Sequence, residues 1–244
     1  MSRLPSAPLV EVIFEIRWQI PSNDLGEMQK CQYLHGDLYA ELKGDFPDRE
    51  TLVPPDFPME TYLNKPAHRF RTKKNGYPTV QVGPGIVTVN TTDDHYEWPN
   101  YEKLCLNINE KLFNVYDFSK NQNLHLALKY YDFFSFDFEK EDVTQFLSNS
   151  LHIDIGQQFF ETNSYPSGIG FALQYNTDVG DYHIAINKRR LRKKTGILVQ
   201  HSMAGSDIKP QISDVQHWLS NAHDVCSEAF KNMTKGDLYE SFKK

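Results

Sequence analysis

The chain has 244 residues, 39% of them hydrophobic and 24% charged, which fits a folded globular protein of one large domain or two small ones. A net charge of −6 excludes a global basic field that would draw it onto nucleic acid or an anionic membrane, and no apolar run is long enough to cross a bilayer. Cys31, Cys105 and Cys226 are widely spaced without a CxxC pair, which excludes a zinc knuckle or a thioredoxin-type redox pair and predicts buried thiols in a reducing cytosol.

The opening stretch MSRLPSAPLVEVIFEIRW interrupts its apolar residues with Glu11, Glu15 and Arg17, so it is not read as a signal peptide and a cytoplasmic location is expected. Within it, residues 9–18 alternate. Val10, Val12, Phe14, Ile16 and Trp18 share one side, and Glu11, Ile13, Glu15 and Arg17 the other, between Pro8 and Pro21, which predicts a half-buried strand. From Asn23 to Leu42 the spacing of Leu25, Met28, Leu34, Leu38 and Leu42 predicts a helix. Residues 44–67 hold five prolines, Pro55 among them, and read as an irregular surface connection.

At 80–90 the sequence VQVGPGIVTVN poses a choice between a phosphate-cradling glycine loop and a turn. A phosphate loop needs a helix directly after its glycines, whose N-terminus supplies the N–H donors. Here Gly83-Pro84-Gly85 is followed by the alternating IVTVN and preceded by TVQV, so the stretch predicts a β-hairpin. With HRFRTK upstream across Asn75-Gly76, the segment reads as an antiparallel meander.

A helix follows from Asn100 to Val115, with Tyr101, Leu104, Cys105, Ile108, Leu112 and Val115 at helical spacing and Asn100 and Glu102 suited to its start. LHLALKYYDFFSFDF at 124–138 predicts an aromatic strand buried on both faces, and Asp142–Asn149 a short helix. Strands are expected at 168–175, 182–188 and 196–202. The last helix places Val215, Trp218, Leu219, Ala222, Val225, Cys226, Ala229 and Phe230 on one face, with Ser213 and Gln216 as a capping box. Hairpin-length turns between the strands predict an α+β fold: a twisted antiparallel sheet with its helices on one face, or two similar lobes. The division would fall between residues 1–145 and 146–244, with one continuous domain as the alternative.

Four stretches carry a family resemblance. PLVEVIFEIRW (8–18), QVGPGIVTVN with Trp98 after it, LALKYYDFF (126–134) and WLSNAHDVCSEAFKNMT with His223 and Phe230 resemble, in the same order, motifs of a sporadically distributed bacterial family of uncharacterised proteins of about this length. Lys129 and Asp132 stand where relatives usually carry arginine and asparagine. The resemblance implies an intracellular, patchily inherited protein of the kind found in mobile or antiviral-defence gene clusters, and implies no catalytic residues.

Read for chemistry, the chain lacks HExxH, GxSxG and P-loop motifs. His223 reads as a helix histidine bonded to a carbonyl rather than a general base, and His152-Ile153-Asp154 and Asp181-Tyr182-His183 as fragments on unrelated faces. The acids Asp132, Asp137, Glu139, Glu141 and Asp142 read as the solvated end of a strand and the negative start of a helix. Two basic clusters are the candidate binding residues: Lys188, Arg189, Arg190, Arg192, Lys193 and Lys194 at one hairpin, and Arg69, Arg71, Lys73 and Lys74, with His68, around another turn.

The expectation is a non-enzymatic interaction protein, a sensor, adaptor or antitoxin-like partner, without a cofactor. It would act through a protein partner from its own operon or as a homo-oligomer, with nucleic-acid or nucleotide-phosphate binding by the 188–194 hairpin as the alternative. An enzyme with an unfamiliar site comes third, and requires Asp, Glu and His side chains to converge in one pocket.

Overall fold

The alternating segments assemble into one antiparallel sheet of nine strands in the computed structural model, which describes residues 4–21, 24–54, 56–119, 122–156 and 165–244. The strands are β1 (Leu9–Trp18), β2 (Asp48–Thr51), β3 (His68–Arg71), β4 (Thr79–Gly83), β5 (Ile86–Thr91), β6 (Leu124–Ser135), β7 (Gly170–Thr177), β8 (Gly180–Leu191) and β9 (Lys194–Ile208), in the order β2-β3-β4-β5-β1-β6-β9-β8-β7. The helices are α1 (Leu25–Leu42), α2 (Trp98–Val115), α3 (Val143–Leu151), α4 (Ile212–Thr234) and α5 (Asp237–Ser241). The α+β expectation holds, with an open sheet rather than a closed barrel.

The period of two decides which side of each strand meets the helices. Val12, Phe14, Ile16 and Trp18 of β1, and Leu124, Leu126, Leu128, Tyr130 and Phe134 of β6, lie at alternate positions and are buried. The opposite face is more polar. There Lys129 Nζ lies 2.6 Å from Glu15 Oε1, and Asn90 bridges Glu11 Oε1 and Gln81 Nε2 across neighbouring strands. The aromatic strand β6 therefore alternates instead of being buried equally on both faces: Tyr131 and Phe133 are half-buried, Tyr130 and Phe134 fully.

Each helix is laid down by its stripe and its ends. In α1 the Asp24 carboxylate accepts from Glu27 N, and Cys31, Leu34, Leu38 and Leu42 face inward. In α2 the stripe is Tyr101, Cys105, Ile108 and Leu112, and in α4 it is Val215, Trp218, Leu219, Ala222 and Cys226. Burial of each large apolar side chain contributes roughly 1.5–3 kcal/mol relative to exposure. The helices pack side by side, α1 on α2, α2 on α4 and α4 on α3, with α4 lying across β9 and β6.

The Gly83-Pro84-Gly85 hairpin is present. Gly83 pairs with Ile86, Pro84 and Gly85 form the two-residue corner, and Gly85 has φ +75°, the conformation such a turn demands after proline. The connection 44–67 is less irregular than expected, because Asp48–Thr51 forms the edge strand β2 against β3. DRET carries no apolar alternation, so its sequence does not mark a strand. The capping box expected at Ser213 is not formed. Helix α4 starts earlier, after Gln211, and Ser213 Oγ bonds Asp214 instead. Helix α2 likewise starts at Trp98, with Pro99 in its first turn, where a missing N–H costs nothing. Asn23 and Pro55 lie outside the described residues. Strand β6 pairs with β9, so one sheet draws on both sides of the 145/146 division, which itself falls inside α3.

Candidate functional site

Register across the sheet brings together residues far apart in sequence. Tyr130 of β6 stands directly opposite His201 of β9, and Asp132 is two residues further along β6 on the same helix-facing side. A polar pair thus occupies positions that the alternation otherwise fills with aliphatic, methionine or aromatic side chains. His201 Nε2 lies 3.3 Å from Asp132 Oδ2, and each residue is only 2% exposed.

The contact does not have hydrogen-bond geometry. Among the described residues, Asp132 Oδ2 and His201 Nδ1 are buried side-chain atoms without a hydrogen-bond partner. Leaving such an atom unsatisfied costs about 1–3 kcal/mol, and more for a charged group. The residues carrying this cost line a cavity of about 780 Å³ between the sheet and the helices, within the size range of small-molecule sites.

The cavity draws on several parts of the fold. Its sheet side carries Tyr130, Asp132 and His201. Helix α4 contributes His223, Cys226 and Phe230, the start of α2 contributes Trp98, and α5 contributes Tyr239. Leu4 and Ala7, in the lead-in to β1, close one side, where Ser6 N donates to Phe242 O and ties the two ends of the chain together.

Hydrogen bonds and stacked rings hold these groups. The Tyr96 and Tyr130 hydroxyls are 3.0 Å apart, and the Tyr130 hydroxyl is 2.8 Å from His223 Nδ1. The chain can run in either direction, since hydroxyls and a neutral imidazole both donate and accept. Trp98 stacks on His223 with centroids 3.7 Å apart, and Tyr130 stacks on His201 at 5.1 Å. Burial pulls the His223 pKa down to about 4, assisted by Lys231, so the imidazole is neutral at pH 7. Burial also pushes the Tyr130 phenol well above its usual value and the Cys226 thiol up to about 12.

His223 therefore departs from the sequence reading: its partner is a tyrosine hydroxyl, not a backbone carbonyl. The convergence required of an unfamiliar enzyme site is present, with Glu97, Asp132, His201, His223 and Asp224 around one cavity. The other fragments stay separate. His152 is the left-handed cap of α3, Asp154 accepts from Ser148, and Asp142 caps α3 as expected of a negative helix start. Among the described residues no cluster of His, Cys, Asp or Glu is arranged to hold a metal ion.

The predicted basic clusters lie elsewhere. Arg189, Arg190, Arg192, Lys193 and Lys194 are exposed at the β8–β9 hairpin tip, with Arg192 in the left-handed region at φ 54°. Lys188 is engaged: its Nζ donates to Ser167 O at 2.6 Å and sits 4.6 Å from the centre of the Phe138 ring. In the second cluster Arg69 donates to Gln81 and Glu50, and Arg71 to Gly76 O, while Lys73 and Lys74 are exposed. Strands β3 and β8 are six places apart in the sheet, roughly 29 Å at the usual spacing, so the clusters form no joint surface.

The sequence reading missed Asp132 and His201 as site residues. The signal available was a carboxylate and an imidazole on the core-facing side of otherwise apolar strands. No protein-family model matches the chain, and no curated protein and no solved structure matches it.

Proposed function

We propose that this chain is a non-enzymatic small-molecule sensor, with the cavity between sheet and helices as its ligand site and a protein of the same bacterial operon as its partner. One observation carries the reading: a cavity of ligand size lined by Asp132 and His201, whose buried atoms Oδ2 and Nδ1 have no hydrogen-bond partner among the described residues. A bound molecule supplying those hydrogen bonds would remove a standing cost, which is the usual basis of recognition in a largely apolar pocket. Residues quoted for the family resemblance, Trp98, Tyr130, His223 and Phe230, all line this cavity, and that supports assigning the function there. The setting in a mobile or defence-associated operon rests on the resemblance alone.

Binding is favoured over turnover by the state of the reactive groups. The Cys226 thiol is held protonated, and His223 Nδ1 is taken by Tyr130. The hydrogen-bond partner of His223 is a tyrosine hydroxyl rather than a serine or cysteine, and among the described residues His201 Nδ1 has none. Hydrolysis of any member of a nucleotide panel would overturn the non-enzymatic reading.

The proposal is tested by affinity purification of the tagged chain from its host, with and without nuclease, followed by native mass spectrometry. A stoichiometric protein that survives nuclease, with a small molecule retained by the chain, is the expected result. Nucleic acid in the eluate, with partners lost on digestion, would favour the second reading, nucleic-acid binding by Arg189, Arg190 and Arg192. The observation behind that alternative is the exposure of these side chains at one tip.

A further inference from the structure

We infer that the ligand of this cavity is a neutral or cationic nitrogen heteroaromatic that presents an N–H group to Asp132 and His201. The inference rests on the sensor reading and adds the class of molecule.

Hydrogen-bond polarity comes first. A carboxylate oxygen accepts, so Asp132 Oδ2 calls for a donor, and His201 Nδ1 is an acceptor as well in the tautomer that carries its proton on Nε2. Both unpartnered atoms then call for donors. A carboxylate offers only acceptors at neutral pH, and a phosphate monoester mostly acceptors, so either would set oxygen against the Asp132 carboxylate.

Charge points the same way. Asp93, Glu97, Asp132 and Asp224 line the cavity against Lys231 and Lys243, so carboxylates outnumber ammonium groups. That balance disfavours an anion and tolerates a cation.

Shape supplies the ring. His201 lies nearly parallel to Tyr130 (14°) and to Phe230 (16°), and Trp98 is parallel to His223 within 7°. These pairs are already in contact, so a flat ring would pack against the aromatic lining rather than slot between paired walls, and a ring carrying N–H groups at its edge combines both requirements.

The test titrates the full chain with adenosine, guanosine and cytidine and with their 5′-monophosphates, by calorimetry and tryptophan fluorescence. At least one nucleoside should bind, and its monophosphate should bind more weakly. Asp132→Asn should weaken binding by about tenfold or more, because it exchanges a charged acceptor for an amide. His201→Gln is the second variant, and circular dichroism checks that both fold. Equal or tighter binding of the monophosphate, or unchanged affinity in both folded variants, overturns the inference. Native mass spectrometry of the host-purified chain separates the two levels. A retained anion or fatty acid overturns the ligand class and leaves the sensor reading standing, whereas no retained molecule and no bound probe overturns both.

Discussion

Trp98 and His223 lie face to face, 3.7 Å between ring centroids and 7° from parallel, and so join the first turn of α2 to the middle of α4. The stack shields the imidazole, and burial holds its pKa at about 4 against about 6.5 in an unfolded chain. Above pH 6.5 the residue is neutral in both states and its contribution to stability is complete. As pH falls from 6.5 toward 4 the unfolded chain takes a proton that the folded chain refuses, so stability is lost across that window. His68, stacked on His35 at 4.0 Å and likewise held at about 4 by burial, acts in the same direction. Melting temperatures between pH 7 and pH 4.5 should therefore fall less steeply in His223→Asn than in the unaltered chain. Parallel curves would show that His223 titrates normally.

Gly85→Ala should destabilise the chain. Its φ of +75° is costly for any residue with a Cβ, by about 1–3 kcal/mol. The added atom would also sit 2.7 Å from Asn64 Oδ1 and 2.9 Å from Trp18 O, which adds to the loss. Urea unfolding should show a lower midpoint at an unchanged slope.

Replacing Arg189, Arg190 and Arg192 together by glutamine should change stability by no more than about 0.5 kcal/mol, since all three are exposed at the hairpin tip. A salt-dependent mobility shift with RNA or DNA, where the unaltered chain gives one, should be lost in this variant. If the variant binds as well as its parent, the hairpin is only a solvated tip.

Cys31, Cys105 and Cys226 are free and buried, and burial raises the pKa of each thiol. A chromogenic disulfide reagent at pH 8 should leave the folded chain unlabelled for minutes and label all three cysteines once urea is added. Rapid labelling of any one of them in the folded chain would contradict the burial of its sulfur.

What the sequence reveals here follows from the range of the interactions involved. The alternation of β1, the Gly83-Pro84-Gly85 corner and the stripe of α4 are local patterns, and each is found where expected. Strand β2 was missed because a wholly polar edge strand has no period to detect, and the cap of α4 because Gln211 is an unremarkable residue at that position. The site was missed for another reason. Opposition of Tyr130 to His201 depends on how β6 and β9 align, and contact of Trp98 with His223 depends on how two helices lie together. Asp132 reads as one acid of a run because Asp137, Glu139, Glu141 and Asp142 follow it closely in sequence. Position along the strand separates it from them, since it alone takes a core-facing place in β6.

Strand β1 sits in the middle of the sheet between β5 and β6, which begin only at Ile86 and Leu124. During synthesis on the ribosome the strand is therefore made well before either neighbour exists. It must wait as an apolar ribbon with both edges bare, the form most open to pairing with another nascent chain. Glu11 and Glu15, which later face Asn90 and Lys129, and Arg17, which pairs with Glu15, give that waiting segment its charge. The side chains that order the open face of the finished sheet thus also guard its central strand against aggregation before the sheet has formed.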